Sequence, residues 1–292
     1  LYEEFKMKKL LIASTALVAT AGMAAAEVSL SGYAEMGIKD DGTTTRFHHD
    51  LDVKFSLSGE TDNGLTFGAT IDLDEVSGGI GADSGPHAVW IKGGFGNLTM
   101  GDTDGALDFV NQEIGMLTSI ADDHTTHAGY WGGSADGLND GQVLRYDNTF
   151  GDFGVAVSYE MDDAGTPGGD VVGIGFVYNA DLGGTALRLS LGYQENDTTD
   201  VMAVSAKTSF SGVDVVLNYA EVASGADYTG IGLGYTTGDL SMTANYGEFS
   251  GGPDGFGLAV NYSLGGGATV MAGYGDSSTG VDTFSLGLGL SF

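Results

Sequence analysis

From Val281 to Phe292 the chain reads VDTFSLGLGLSF. Phe284, Leu286, Leu288, Leu290 and Phe292 alternate with Thr283, Ser285, Gly287, Gly289 and Ser291. A period of two held to a terminal aromatic describes a strand with one apolar face and one small or polar face. A soluble sheet turns the apolar face to a core. A transmembrane barrel turns it to lipid, and about ten alternating residues is the length a tilted strand needs to cross. In that reading Leu288 faces lipid, and Gly287 faces a lumen where serine is expected to be tolerated.

The same period recurs from Val28 onward, broken by Gly/Asp/Asn/Ser clusters. Sixteen segments are predicted: 28–39, 46–58, 65–74, 87–92, 97–102, 142–148, 153–161, 170–180, 185–194, 200–210, 213–222, 227–236, 240–247, 255–264, 268–275 and 282–292. The connector Thr61-Asp62-Asn63-Gly64 suits a type I′ hairpin through its Asn-Gly pair. Very short connectors such as 211–212 and 265–267 alternate with longer acidic ones such as 162–169 and 195–199. Short turns at one end and longer loops at the other are the habit of an antiparallel outer-membrane barrel, and an even count puts both chain ends on the short-turn side.

The apolar phase ends on aromatics. Tyr159, Tyr193, Tyr219, Tyr246 and Tyr274 close strands running one way; Tyr178, Phe210, Tyr235, Tyr262 and Phe292 close those running the other. Strand propensity alone explains tyrosine in strands but not its placement at their ends, whereas two interfacial belts do. The fold class expected is all-β: a sixteen-stranded antiparallel transmembrane barrel.

Composition agrees. Met7-Lys8-Lys9, an apolar run Leu10–Val18 and Ala24-Ala25-Ala26 have the form of a secretory signal peptide cleaved after Ala26. Residues 1–26 are therefore read as upstream sequence plus signal, and 27–292 as one barrel domain. No later run of 18 apolar residues offers a spanning helix. The formal charge of −30 becomes about −31 once Glu3, Glu4, Lys6, Lys8 and Lys9 are removed. Such a charge argues against nucleic acid as a partner and is compatible with divalent cations held between carboxylates. The absence of cysteine removes disulfides, thiolate metal sites and a thiol nucleophile together.

Taking the apolar residues as outward, Lys39, Lys54, Arg145, Arg188 and Lys207 face the lumen, Arg46 is expected to, and Lys92 sits on a weakly patterned strand. A charge facing lipid near the midplane costs about 2–4 kcal/mol, so physics demands this arrangement as well. One long non-alternating excursion remains, Asp102–Gly141. It carries Asp102, Asp104, Asp108, Glu113, Asp122 and Asp123, with Asp136 and Asp140 beyond them and no Lys or Arg. Leu107, Phe109, Val110, Ile114, Met116, Leu117 and Ile120 give it apolar surface with which to pack. It is too long for an ordinary hairpin loop. Folded into the lumen of a wide barrel it would act as a constriction loop, with its acids opposed to basic wall residues. A solvated external loop is the alternative.

Glu27-Val28-Ser29-Leu30-Ser31-Gly32-Tyr33 and Thr61-Asp62-Asn63-Gly64-Leu65-Thr66-Phe67-Gly68-Ala69 resemble the general-diffusion porins of alphaproteobacteria, the Rhodobacter type. Gly96-Asn97-Leu98-Thr99-Met100-Gly101-Asp102-Thr103-Asp104 is similar to that family's approach to its constriction loop, and Phe292 to its C-terminal aromatic. The resemblance implies a homotrimer in outer-membrane lipid, passive diffusion of small hydrophilic solutes and ions, and calcium near acidic loops. Arg46, Lys54 and Arg145 match the family's basic wall best, although a cluster of several arginines is not assembled here. With carboxylates outnumbering bases about five to one in residues 27–292, mild cation selectivity is expected.

Other functions are weaker. His124 and His127, beside Asp122 and Asp123, have metal spacing only on a helix, and no cysteine supports them. A barrel-embedded hydrolase would want a Ser/His or Asp/His constellation, and there is no G-x-S-x-G turn. A structural or adhesive barrel would more often carry long external loops. The expected protein is a channel without catalytic residues.

Overall fold

A computed structural model describes residues 26–73, 87–121, 127–133, 142–162, 165, 168–222 and 225–292. Its strands are β1 (Glu27–Asp40), β2 (Thr45–Glu60), β3 (Thr66–Leu73), β4 (His87–Gly93), β5 (Gly96–Gly101), β6 (Val143–Phe150), β7 (Phe153–Glu160) and β8 (Val171–Asp181). They continue as β9 (Ala186–Glu195), β10 (Asp200–Phe210), β11 (Val213–Glu221), β12 (Asp227–Thr237), β13 (Leu240–Phe249), β14 (Asp254–Gly265), β15 (Ala268–Ser277) and β16 (Asp282–Ser291). One short helix, α1 (Ala106–Val110), lies in the long excursion, where the sequence shows no period that announces it. The signal peptide lies almost wholly outside the described residues.

Each strand pairs antiparallel with its sequence neighbours, and β1 pairs with β16, so the sheet closes into a barrel. Closure gives every strand a neighbour on both sides and leaves no free edge strand, which lipid requires. At the seam Met36 lies opposite Leu288 and Glu35 opposite Gly289. The C-terminal Phe292 and Gly32 exchange main-chain hydrogen bonds of 2.8 and 3.3 Å.

The register fixes the two faces. On β8, Val172, Ile174, Phe176 and Tyr178 are exposed to the outside, while Val171, Gly173, Gly175 and Val177 are buried on the inside. Carried around the ring by the paired positions, all ten strand-end aromatics fall on the outer phase. Arg46 is opposite Lys39, Lys54 opposite Asp72, Arg145 opposite Thr99, and Lys207 opposite Arg188, all on the inner phase. Lys92, unassigned by pattern, faces inward beside Trp90, with its Nζ 4.8 Å from the ring centroid.

The Thr61–Gly64 connector differs from the expected type I′ turn. Gly64 has φ +82°, but Asn63 is not in the left-handed region, and the Gly64 N–H bonds the Thr61 carbonyl at 2.9 Å. The turn is centred one residue earlier, on Asp62-Asn63, with Gly64 as the left-handed residue that follows. Thr61 sets this geometry: its hydroxyl accepts the Leu65 N–H at 2.9 Å and donates to Asn63 Oδ1 at 2.5 Å.

Candidate functional site

The excursion starts beneath Arg145. Asp102 N–H bonds the His87 carbonyl at 2.9 Å, and the Arg145 guanidinium donates to the Asp104 carbonyl at 2.7 Å. The same guanidinium sits 3.9 Å above the Phe109 ring centroid, 3.4 Å from the Asp147 carboxylate and 3.9 Å from that of Asp104. Arg145 is only 7% exposed, because the segment covers it.

From there the chain follows the inner wall strand by strand. Ala106 N–H bonds Ser158 Oγ of β7 at 2.8 Å, and Ala106 and Val110 pack against Ala156 and Val177. Leu107 and Ile114 join Val201, Ala203, Val216, Ala220 and Tyr228 in a second cluster. Gln112 N–H bonds Ser205 Oγ of β10 at 2.9 Å, and the Asn218 amide of β11 donates to the Gln112 carbonyl at 2.9 Å. Asn261 of β14 donates to the Thr118 carbonyl at 3.0 Å. Ala121 N–H then bonds Glu35 Oε2 of β1 at 2.6 Å. Glu35 also accepts Tyr33 OH at 2.9 Å and has His48 Nε2 at 3.0 Å.

The path is close because the wall is small where the segment passes. A Cβ on Gly175 would lie 2.4 Å from the Ala106 carbonyl oxygen, and one on Gly232 would lie 2.3 Å from that of Ile114. Side chains at those positions would hold the segment away, so glycine on the polar phase creates a groove for it.

The return stretch is anchored too. His127 Nε2 lies 2.9 Å from Asn245 Oδ1, and its Nδ1 accepts the Gly129 N–H at 3.2 Å. Ala128 N–H bonds Ser277 Oγ at 2.8 Å. Tyr130 OH donates to Glu113 Oε2 at 2.5 Å, tying the outgoing and returning stretches together, and the Trp131 ring is 5.6 Å from that of Tyr228.

The expected acids fall into three groups. Asp104, Asp108 and Glu113 share one neighbourhood: the charge of Asp104 acts on Glu113, while Gly132 and Gly133 approach Glu113 and Asp108. Burial pushes the Glu113 carboxyl above its ordinary range; Tyr130 opposes the shift and Asp104 adds to it. Asp102 is exposed where the segment leaves β5. Asp122 and Asp123, with His124, lie outside the described residues.

The expected bases do not form one bank. Arg46 pairs with Asp41 at 3.0 Å on the rim, and Lys54 pairs with Asp72 at 3.2 Å on the wall. They are eight residues apart on β2, about 27 Å along an extended strand. Arg145 lies under the segment rather than across from it. The anchors named above, Glu35, Ser158, Ser205, Asn218, Asn261 and Ser277, were not singled out from sequence. Their only signal there is a polar side chain on the inner phase.

No group of three or more His, Cys, Asp or Glu side chains is disposed to hold a metal ion among the described residues. His127 spends both ring nitrogens on protein partners.

A closed sixteen-stranded barrel with an apolar outer face, paired aromatic belts and a polar segment lining its interior defines a transmembrane β-barrel of the channel-forming kind. The Gram-negative porin family model matches residues 13–291, and the chain belongs to that family. It is a porin of the outer membrane and not an enzyme. A Rhodobacter capsulatus porin is 30% identical over 203 residues, an alignment spanning 68% of this chain but 57% of that relative's length. A porin structure refined at 1.8 Å superposes with a TM-score of 0.74 at 23% identity, covering 91% of this chain and all of the other. A Rhodopseudomonas blastica porin triple mutant superposes with a TM-score of 0.72 at 18% identity and the same coverage.

Proposed function

We infer that the barrel is a water-filled channel for passive diffusion of small hydrophilic solutes and ions, with mild cation selectivity. The observation that carries this reading is the anchoring of the inward segment in order from β6 round to β1. Among the described residues, the hydrogen bonds given above for Ala106 to Ala121 run to β7, β10, β11, β14 and β1 rather than to β2–β5. The narrowest passage then lies between the segment and that arc, which contributes Asp50, Asp52, Lys54, Asp72, Trp90 and Lys92.

Charge across that passage favours cations. Asp104, with a side chain 61% exposed, and half-buried Asp108 and Glu113 stand on the segment. Opposite them Lys54 is offset by Asp72. Low-dielectric walls concentrate the field of such an excess within the water-filled space.

A homotrimer in outer-membrane lipid fits the outer face. Tyrosines of the outer phase occur on β6–β9 and β11–β15 and on none of β1 to β5. An arc whose outer aromatics are phenylalanines only (Phe47, Phe55 and Phe67), with no hydroxyl or indole N–H for the interface, suits contact with another copy better than contact with headgroups. Calcium at acidic loops finds no convergent ligand set among the described residues. The channel reading is tested by single-channel conductance of the purified protein in a planar bilayer. Discrete ohmic steps in KCl are expected; a folded barrel that passes no current would overturn it.

A further inference from the structure

On β9 and β10 two cations face the lumen side by side. Lys207 lies directly opposite Arg188 in the register, one inward step from the Ser190–Ser205 pair that carries Gln112 of the segment. Like charges at opposed positions on neighbouring strands destabilise a sheet, so a chain rich in acids would be expected to neutralise them. It does not. Arg46, Lys54 and Arg145 each hold a carboxylate. Among the described residues, Arg188 and Lys207 hold none.

Among the described residues, the inward carboxylates on the flanking strands, Asp214 and Asp181, make hydrogen bonds of their own and no ion pair with either cation. Asp214, opposite Ser209, accepts that hydroxyl, and Asp181 accepts the Gly184 N–H of its own turn at 2.5 Å. Arg188 Nε is buried and has no hydrogen-bond partner. On its other side Arg188 faces Asn179 of β8, whose amide is a further donor, and Lys207 faces Val216 of β11. A planar guanidinium and a mobile ammonium left together without an ion-paired carboxylate match a small tetrahedral oxyanion, which accepts from both.

We propose that Arg188 and Lys207 form an anion-binding subsite on the turn-end side of the inward segment, suited to inorganic phosphate or a small phosphorylated solute. It rests on the open, water-filled lumen inferred above. It would give an otherwise cation-favouring pore a local station for oxyanions.

The test is single-channel current in KCl with increasing phosphate at constant ionic strength. Phosphate should reduce the wild-type current saturably. In R188Q/K207Q the half-blocking concentration should rise about tenfold, equivalent to about 1.4 kcal/mol, with KCl conductance retained. K39Q, at a lumen-facing lysine of β1 away from both the passage and the subsite, should block like wild type. If the double variant does not assemble, K207Q alone decides, and should show a weaker block. A wild-type channel that conducts KCl but shows no phosphate block overturns this proposal and leaves the channel standing. An undiminished block in R188Q/K207Q, or in K207Q where only that assembles, also overturns it. A barrel with no KCl current fails the channel reading instead.

Discussion

Glu35 accepts the main-chain N–H of Ala121 at 2.6 Å, joining β1 to the far reach of a segment 86 residues later. Ala121 has φ +66°, a conformation that a non-glycine residue adopts only where its surroundings hold it. Glu35 is 3% exposed, and its other contacts are Tyr33 and His48. This carboxylate therefore fastens the segment where it has crossed most of the wall. Glu35→Ala removes a charged hydrogen bond of about 1.5–3 kcal/mol without touching the sheet. The barrel should assemble, with a higher and noisier single-channel current. A quiet current at the wild-type level would show that the tip is held by other contacts.

Arg145 invites a revised expectation. As a free basic wall residue its loss would simply strengthen cation preference. Bonded to the Asp104 carbonyl and stacked on Phe109, it instead holds down the start of the segment. Arg145→Ala should therefore raise conductance and speed proteolytic cleavage within residues 102–121 of the assembled barrel. Wild-type conductance and cleavage, with only a shifted reversal potential, would return Arg145 to the role of a plain wall charge.

Two substitutions at adjacent positions separate the faces of β16. Leu288→Arg puts a guanidinium into lipid at about 2–4 kcal/mol and should block assembly. Gly287→Ser looked tolerable from the alternation alone. A Cβ there would stand 2.4 Å from the Met36 carbonyl oxygen and 2.7 Å from Ile120 Cδ1. Because the Met36 oxygen is main chain, Gly287→Ser should lower assembly by straining the β1–β16 seam, though less than Leu288→Arg, and the barrels that form should conduct more through the displacement of Ile120. An outer-membrane folding assay in which both variants assemble equally would reverse the assigned phase.

The strands were legible because each is its own signal: period two, an aromatic stop and a turn cluster. Even weakly patterned His87–Gly93 and Gly96–Gly101 were found within a residue or so. The path of the long segment was not legible. Its partners are single polar side chains, serines and asparagines with Glu35 and Arg145, on strands up to 149 residues away, as with Ala128 and Ser277, and the segment has no period of its own. The site was legible only in part. Clustered acids on a long excursion could be read as a group, but spacing along β2 does not reveal that Arg46 turns to Asp41 and Lys54 to Asp72.

Acidification should act first through Glu113. Its carboxyl is raised, chiefly by burial, so it takes up a proton above the ordinary carboxylate range as pH falls. A raised carboxyl carries a folding penalty at high pH that is relieved as pH drops through its folded value. Cation preference should therefore begin to decline at a higher pH in wild type than in Glu113→Gln, with no loss of assembly in that window. Coincident titration of selectivity in the two proteins would place Glu113 outside the conducting path.

In the proposed channel, carboxylates on the inward segment set the field of the pore. Reversal potential across a KCl gradient at low salt measures it most directly, comparing wild type with a variant in which Asp104, Asp108 and Glu113 are neutralised together. Wild type should be mildly cation-selective, less so as added salt shortens the Debye length, and the variant should lie nearer zero. Anion preference in wild type, or a reversal potential indifferent to the three substitutions, would contradict it.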